Sequence, residues 1–216
     1  MTLVLASASP RRQELLRNAG IAFTVQPANI DESPRDSESP VAFAQRLAQE
    51  KALAVSRSCP QDCVLGADTI VVVDEKILGK PRDAADAARM LRLLSGRTHE
   101  VITGVCLVRA ASSCQPPVTS KPGSRAVESA AVDQKLRTGN RELRTAFETT
   151  LVTVCEISDD DITEYIATRE PMDKAGAYAI QGIASRWIPR IEGDYSNVVG
   201  LPVALVYRML QELRKL

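Results

Sequence analysis

The chain has no net charge, one histidine, no C-x-x-C pair and no long apolar run, and each shortage removes a class of function. Lys and Arg number 27 and Asp and Glu 27, so no broad basic surface is set against nucleic acid or membrane. No apolar stretch approaches the roughly 20 residues that span a bilayer. The N-terminus has no basic segment ahead of a long apolar one, so no signal peptide is expected. The five cysteines, at 59, 63, 106, 114 and 155, are scattered. A structural zinc site is therefore not expected, and a reducing cytoplasm fits best. With His99 alone, a histidine-based nucleophilic triad is hard to build. Neither G-x-x-x-x-G-K-[ST] nor G-x-G-x-x-G occurs, which excludes a P-loop kinase and a Rossmann dehydrogenase. What remains is chemistry done by carboxylates, a metal ion and basic side chains. The 216 residues suffice for one sizeable core with a smaller lobe.

The most informative stretch is Leu5-Ala6-Ser7-Ala8-Ser9-Pro10-Arg11-Arg12. A short apolar strand, Leu3 to Leu5, runs into hydroxyl residues. Ser9 then suits a helix N-cap and Pro10 the first helical position. A helix start offers free N–H groups and partial positive charge. Arg11 and Arg12 in its first turn add guanidinium, which pairs two-pronged with phosphate oxygens. The helix should stop near Gly20. A capped surface helix with solvated arginines is the plainer alternative.

The pattern then predicts a helix over 40–57 after Ser39-Pro40, with Phe43, Ala44, Leu47 and Ala48 inward. Lys51 sits four residues beyond Leu47 on that face, so its charge either snorkels to water or reaches into a site. Strands are expected over 63–74, 99–108 and 149–157. A helix capped by Asp83 should end near Gly96, another should follow Ser158, and the last should open at Pro202. Residues 111–146 hold three prolines, no aromatic residue, six basic side chains and three acidic ones. They read as a flexible insertion at the tip of an antiparallel hairpin. Strands alternating with helices, plus one antiparallel pair, give an α/β fold on a mixed α+β sheet.

Asp68 is the sharpest single residue. It interrupts an apolar β-branched run, and an aspartate there is costly to bury unless paired, coordinated or facing a ligand. It reads as a general base or metal ligand, with a hydrogen-bonded structural aspartate as the alternative. Gly66 on the same strand face leaves room for something to approach. Asp31-Glu32 supplies further carboxylates in a loop. A hard divalent ion such as Mg²⁺ takes one or two carboxylates together with phosphate oxygens and water. Lys51, Lys80, Arg11 and Arg12 supply positive charge against a triphosphate.

Eight ordered blocks resemble the Maf family of nucleotide pyrophosphatases. They are LASASPRRQELL (5–16), Glu32-Ser33, AQRLAQEKA (44–52), VLGADTIVV (64–72), ILGKP (77–81), LLSGRTHEVITGV (93–105), EPMDKAGAYAIQG (170–182) and GDYSNVVGLP (193–202). The resemblance takes in nearly all of 1–216 as one domain, the insertion excepted. It implies a mixed sheet with two lobes around a central cleft, similar to the inosine triphosphate pyrophosphatases. It also implies metal-dependent hydrolysis of nucleoside triphosphates to monophosphate and pyrophosphate, with Mg²⁺ or Mn²⁺ as cofactor. By the resemblance, the catalytic aspartate falls on Asp68 and the metal site on Glu32 and Asp68. Phosphate binding falls on Ser7, Arg11, Arg12, Lys51 and Lys80, and base choice on Arg11, Thr69 and Gln181. The last two blocks look like the dTTP/UTP-cleaving branch. The alternatives are cleavage of 7-methyl-GTP or other purine nucleotides, and a nucleotide-binding regulator of cell division without turnover. A nucleoside triphosphate is the expected partner, no nucleic acid or membrane is expected, and a homodimer stays open. Gln181 carries both a donor and an acceptor, a match for the N3–H and a carbonyl of thymine or uracil. Tyr178 and Tyr195 could stack on a base, though tyrosines packing a core edge are commoner. Ala8 stands where the family most often has glycine, and a position needing positive φ would make alanine costly.

Overall fold

The computed structural model describes residues 2–110, 134–138 and 140–214. Strand β1 (Leu3–Leu5) is followed by helix α1 (Pro10–Asn18), the two-residue β2 (Thr24–Val25) and helix α2 (Pro40–Ser56). The long β3 (Cys63–Val73) turns into β4 (Lys76–Leu78), and helix α3 (Ala84–Leu94) leads to β5 (Thr98–Ala110). Then come β6 (Gln134–Thr138), β7 (Arg141–Thr153) and helix α4 (Asp159–Ala167). Three 3-10 turns, Glu170–Asp173, Ala175–Ala177 and Ile183–Trp187, precede β8 (Arg190–Glu192), the short α5 (Tyr195–Val199) and α6 (Val203–Arg214). The helix starts are those the sequence predicts. Ser9, Ser39, Asp83 and Ser158 each accept a backbone N–H from the first turn of their helix, relieving donors that the helix cannot use itself.

The described strands form one mixed sheet in the order β2-β1-β3-β5-β7-β6, with β4 beside β3 and β8 beside β7. β1 runs parallel to β2 and β3, while β5 and β7 are antiparallel to their neighbours. Strand alternation divides the core. One face, carrying Val64, Gly66, Asp68, Ile70 and Val72, is covered by α2. The opposite face carries two separate apolar clusters. Cys63, Leu65, Ala67, Val105 and Leu107 pack with Leu16 of α1 and the buried side of α6. Val71, Val73, Val101 and Val152 pack with α3, α4 and the 3-10 turns. Between the clusters the face turns polar at Thr69, Thr103 and Glu148, which stand in register across three strands. The two lobes meet along that line.

Two expectations need correction. Residues 134–138 and 141–146 belong to strands, so the sheet extends well into the stretch read as an insertion. Two polar residues that suggested a loop are buried and paired: Glu142 is 4% exposed and bonds to Arg109, and Arg144 reaches Glu212 at 2.6 Å. The flexibility expected of 111–133 lies outside the described residues. Gly66, in turn, makes room for the chain's own helix and not for a ligand. A Cβ on Gly66 would lie 2.1 Å from the carbonyl oxygen of Ala48, and one on Gly104 would lie 2.3 Å from that of Ala44. Asp68 stands directly opposite Gly104 in the β3–β5 ladder. The two glycines thus let the α2 backbone settle on the sheet on either side of the aspartate.

Candidate active site

The site arises where β3 lacks a partner strand. β1 leaves its neighbour after Leu5 and β4 joins at Val71, so the β3 edge from Gly66 to Ile70 has no strand beside it among the described residues. A cleft of about 870 Å³ opens there, outside the carboxyl end of β1, where open α/β sheets commonly bind ligands. Because the edge is open, residues from both faces of β3 reach the same cleft. It is lined by Ser7, Arg11, Arg12, Glu32, Lys51, Asp68, Thr69, Lys80 and Gln181 among others, and so brings together the residues that the resemblance assigns to the site, though not Asp31 or Tyr195.

Lys51 and Asp68 form its buried centre. Lys51, 9% exposed, comes off the sheet-facing side of α2 and places Nζ 2.6 Å from Asp68 Oδ1 and 2.6 Å from Glu32 Oε1. The charge on the apolar stripe therefore reaches into the site. Burial pushes the Asp68 carboxyl above the usual carboxylate range, opposed first by the charge of Lys51 and then by that of Arg12. Asp31 does not join them. Its Oδ1 accepts the Ser33 backbone N–H at 2.9 Å and the Ser33 hydroxyl at 2.6 Å, a local turn on the surface, and these bonds hold its carboxyl below the usual range. The Glu32 loop is fixed from α2. Arg46 donates to the Ser33 carbonyl at 3.1 Å and in two-pronged fashion to Glu38 at 2.7 and 2.8 Å.

The two arginines of α1 behave differently. Arg11 faces the cleft and makes no hydrogen bond or ion pair among the described residues. Arg12 is 9% exposed and turns back under the loop. It donates to the carbonyls of Gly200 and Ala67, each at 2.8 Å, to Ser7 Oγ at 3.2 Å and to Thr69 Oγ1 at 3.0 Å. Four of its five N–H groups are thus engaged with the chain itself, so Arg12 closes the bare edge of β3 and ties the first loop to α5. Burial lowers its pKa below the usual arginine value, opposed by Asp68. The loop needs no glycine at Ala8, which is absent from the positive-φ residues.

The second lobe supplies the far wall. Lys80 follows β4, and the carbonyl of Gly79 accepts the N–H of Gly176, which ties that turn to the 3-10 segment. Gln181 lies exposed in the turn before Ile183–Trp187 and borders the cleft. Glu170 pins this turn by accepting the N–H of Ile183 at 3.1 Å and the Tyr165 hydroxyl at 3.0 Å. Tyr178 also borders the cleft, but its hydroxyl is bound to His99 Nε2 at 2.7 Å beneath it. Tyr195 is 48% exposed on α5. Asp173 and Lys174 also line the cleft, and their only signal in the sequence was membership of the EPMDKAGAYAIQG block.

A divalent cation fits the donor set. Glu32 and Asp68 both touch one ammonium, so their oxygens are at most two hydrogen-bond lengths apart. These two carboxylates could hold a hard cation whose shell is completed by water and phosphate oxygens. The described residues hold no group of three or more His, Cys, Asp or Glu side chains that could bind a metal ion by themselves.

The profile of the Maf-like protein family matches residues 2–213. The chain belongs to the Maf family. Its similarity to individual Maf-family proteins is equally continuous. It is 54% identical to the dTTP/UTP pyrophosphatase of Koribacter versatilis over 211 residues, covering 98% of this chain and 94% of that one. It is 47% identical to the protein of the same name from Symbiobacterium thermophilum, covering 97% and 93%. With the dTTP/UTP pyrophosphatase of Shewanella oneidensis the identity is 44%, covering 98% of each chain. No helix among the described residues of this Maf-family chain is long and apolar enough to cross a membrane.

Proposed function

We propose that the chain hydrolyses nucleoside triphosphates, dTTP and UTP foremost, to the nucleoside monophosphate and pyrophosphate. One observation carries the reading: a buried carboxylate, Asp68, stands at an open strand edge inside a cation-lined cleft, on the ammonium of Lys51. The names of its relatives point the same way.

In this reading Arg11 and Lys80 hold the outer phosphates at the mouth of the cleft, and Ser7 holds them beside the start of α1. Asp68 accepts the proton of the water that attacks the α-phosphorus. Lys51 keeps that carboxylate ionised against the cost of burial and shares its charge with the phosphates. The bond from the α-phosphorus to the bridging oxygen breaks, and pyrophosphate leaves. A divalent cation held by Glu32 and Asp68 would supply further positive charge against the pentavalent transition state. Gln181 faces the pyrimidine edge from the second lobe, with Thr69 beneath. The four described cysteines are free thiols, and we place the activity in the cytoplasm.

Pyrophosphate and monophosphate release across a panel of nucleoside triphosphates, with Mg²⁺ or Mn²⁺, tests the proposal. Asp68→Asn should lower turnover by about 10²–10⁴, the usual share of a general base, while triphosphate still binds. Binding without cleavage by the parent chain would mean a regulator, and preferred cleavage of 7-methyl-GTP would move the chain to the other branch.

A further inference from the structure

Two residues of the polar line, Thr103 and Thr69, form a hydrogen-bonded train that ends on Arg12. The carbonyl of Gly200, a residue with φ 133°, accepts both Arg12 Nε at 2.8 Å and the Thr69 hydroxyl at 3.1 Å. Thr69 Oγ1 also accepts Arg12 Nη2 at 3.0 Å and lies 2.9 Å from Thr103 Oγ1. Proton counting orients the pair. If Thr69 gives its single proton to Gly200, its oxygen has two lone pairs left. Arg12 fills one, and the proton of Thr103 fills the other. The Thr103 hydroxyl thus holds the Thr69 hydroxyl in the one rotation that serves Arg12. Its other neighbour, the Asn197 carbonyl, is farther away at 3.4 Å.

Gly200 is held just as indirectly. It ends α5, a helix of five residues, too short to be stable without anchors. The anchor is Asn197, which is 0% exposed. Its amide donates to the Val101 carbonyl at 2.9 Å and to Thr150 Oγ1 at 3.0 Å. Thr150 Oγ1 also accepts the N–H of Asp194 at 3.1 Å, at the start of the same helix. Neither Thr103 nor Asn197 borders the cleft. Both are fully buried polar groups on the line where the apolar clusters stop, a costly placement unless the groups serve one another.

We propose that Thr103 and Asn197 are positioning residues of the nucleotide site, fixing the Thr69 hydroxyl and the Gly200 carbonyl that hold the Arg12 guanidinium in the cleft. The inference rests on the proposed nucleotide site, and its test is read in binding as well as turnover. The affinity for the α,β-imido analogue of dUTP with Mg²⁺, and kcat/KM for dTTP, are measured in Thr103→Val, Thr103→Ser, Asn197→Ala and Arg12→Lys and in the Thr103→Val/Arg12→Lys double variant.

Thr103→Val keeps shape and removes only the hydroxyl, so it keeps the test sound should Asn197→Ala fail to fold. We expect it to weaken affinity and kcat/KM about tenfold, within the range of couplings inside one hydrogen-bond network. Thr103→Ser should recover the parent values to within about twofold, and Thr103→Val should add nothing once Arg12 is lysine. An unchanged Thr103→Val chain overturns the inference. So does an equal loss with and without Arg12, which would mark a general packing role. If the parent binds the analogue yet releases no pyrophosphate, the proposed activity fails, while the binding cycle still decides the positioning role.

Discussion

Adding one methyl group at Gly66 should unseat α2 and, with it, the ion pair at the centre of the site. A Cβ there would lie 2.1 Å from Ala48 O, 2.8 Å from Ala52 N and 2.9 Å from Ala52 Cβ, where ordinary contact begins at 3.4 Å. None of these atoms can rotate away, so the helix must retreat by about 1 Å, forfeiting part of its dispersion contact with the sheet. Overpacking of this kind costs about 1–3 kcal/mol, and rigid backbone neighbours place Gly66→Ala at the upper end. Lys51 precedes Ala52 and moves with it, stretching the 2.6 Å contact with Asp68. Losing a hydrogen bond between charged groups adds about 1.5–3 kcal/mol. A total near 4 kcal/mol corresponds to a fall in melting temperature of roughly 10 °C for a chain of this size. Gly79→Ala is the control, since nothing lies within 4 Å of a Cβ there, and it should stay within about 0.5 kcal/mol of the parent. Gly104→Ala should lose stability similarly, with less effect on catalysis, because it presses on Ala44, nearly two turns from Lys51. Thermal melts followed by activity assays of the folded protein decide the matter. A Gly66→Ala chain that melts within about 2 °C of the parent would refute the idea that helix backbone rests on this strand.

Lys51→Met should move the acid limb of the pH–rate profile to higher pH. Asp68 must be ionised to act, and Lys51 is the largest charge opposing the upward push of burial. A limb that stays in place would show that Asp68 is not the group being titrated. His99 gives a stability prediction. Burial lowers its pKa from 6.5 to about 4, so the folded chain keeps it neutral while the unfolded chain takes up a proton. Its contribution is present above pH 6.5 and is lost as the pH falls toward 4, amounting to about 3 kcal/mol. His99→Gln should flatten the urea midpoint between pH 7 and pH 4.5, and a parallel acid loss in both chains would rule His99 out. Gln181→Leu should narrow the preference for dTTP over dCTP about fivefold, the worth of one hydrogen bond near 1 kcal/mol. An unaltered ratio of the two kcat/KM values would place base choice elsewhere.

Much of the fold was legible because its signals are local. The four capped helix starts follow from residues a few positions apart. The start of β7 was not legible, since Arg109 and Glu212 neutralise its buried charges from distant parts of the chain. The site divides in the same way. Asp68 and Lys51 stood out as charges in apolar patterns, Arg11 and Lys80 as cations against a triphosphate, and the resemblance supplied the roles of Ser7 and Gln181. Thr103 and Asn197 gave no signal beyond membership of the LLSGRTHEVITGV and GDYSNVVGLP blocks, because a threonine in a strand and an asparagine in a short helix are commonplace.

The residue order alone thus determined the capped helices and the central strands, and that a carboxylate and several cations had to be accounted for. Only the tertiary structure decided which of them share a cleft. β1 and β4 stop short of each other on β3, and this bare edge lets both faces of one strand open into the same space. It also turned Arg12 from a surface guanidinium into a strut, with four of its N–H groups satisfied by residues as far away as Gly200. Caps and periodicity are read within a turn or two of chain. The partner of a buried charge is set by whatever the fold brings against it, and no spacing along the sequence carries that information.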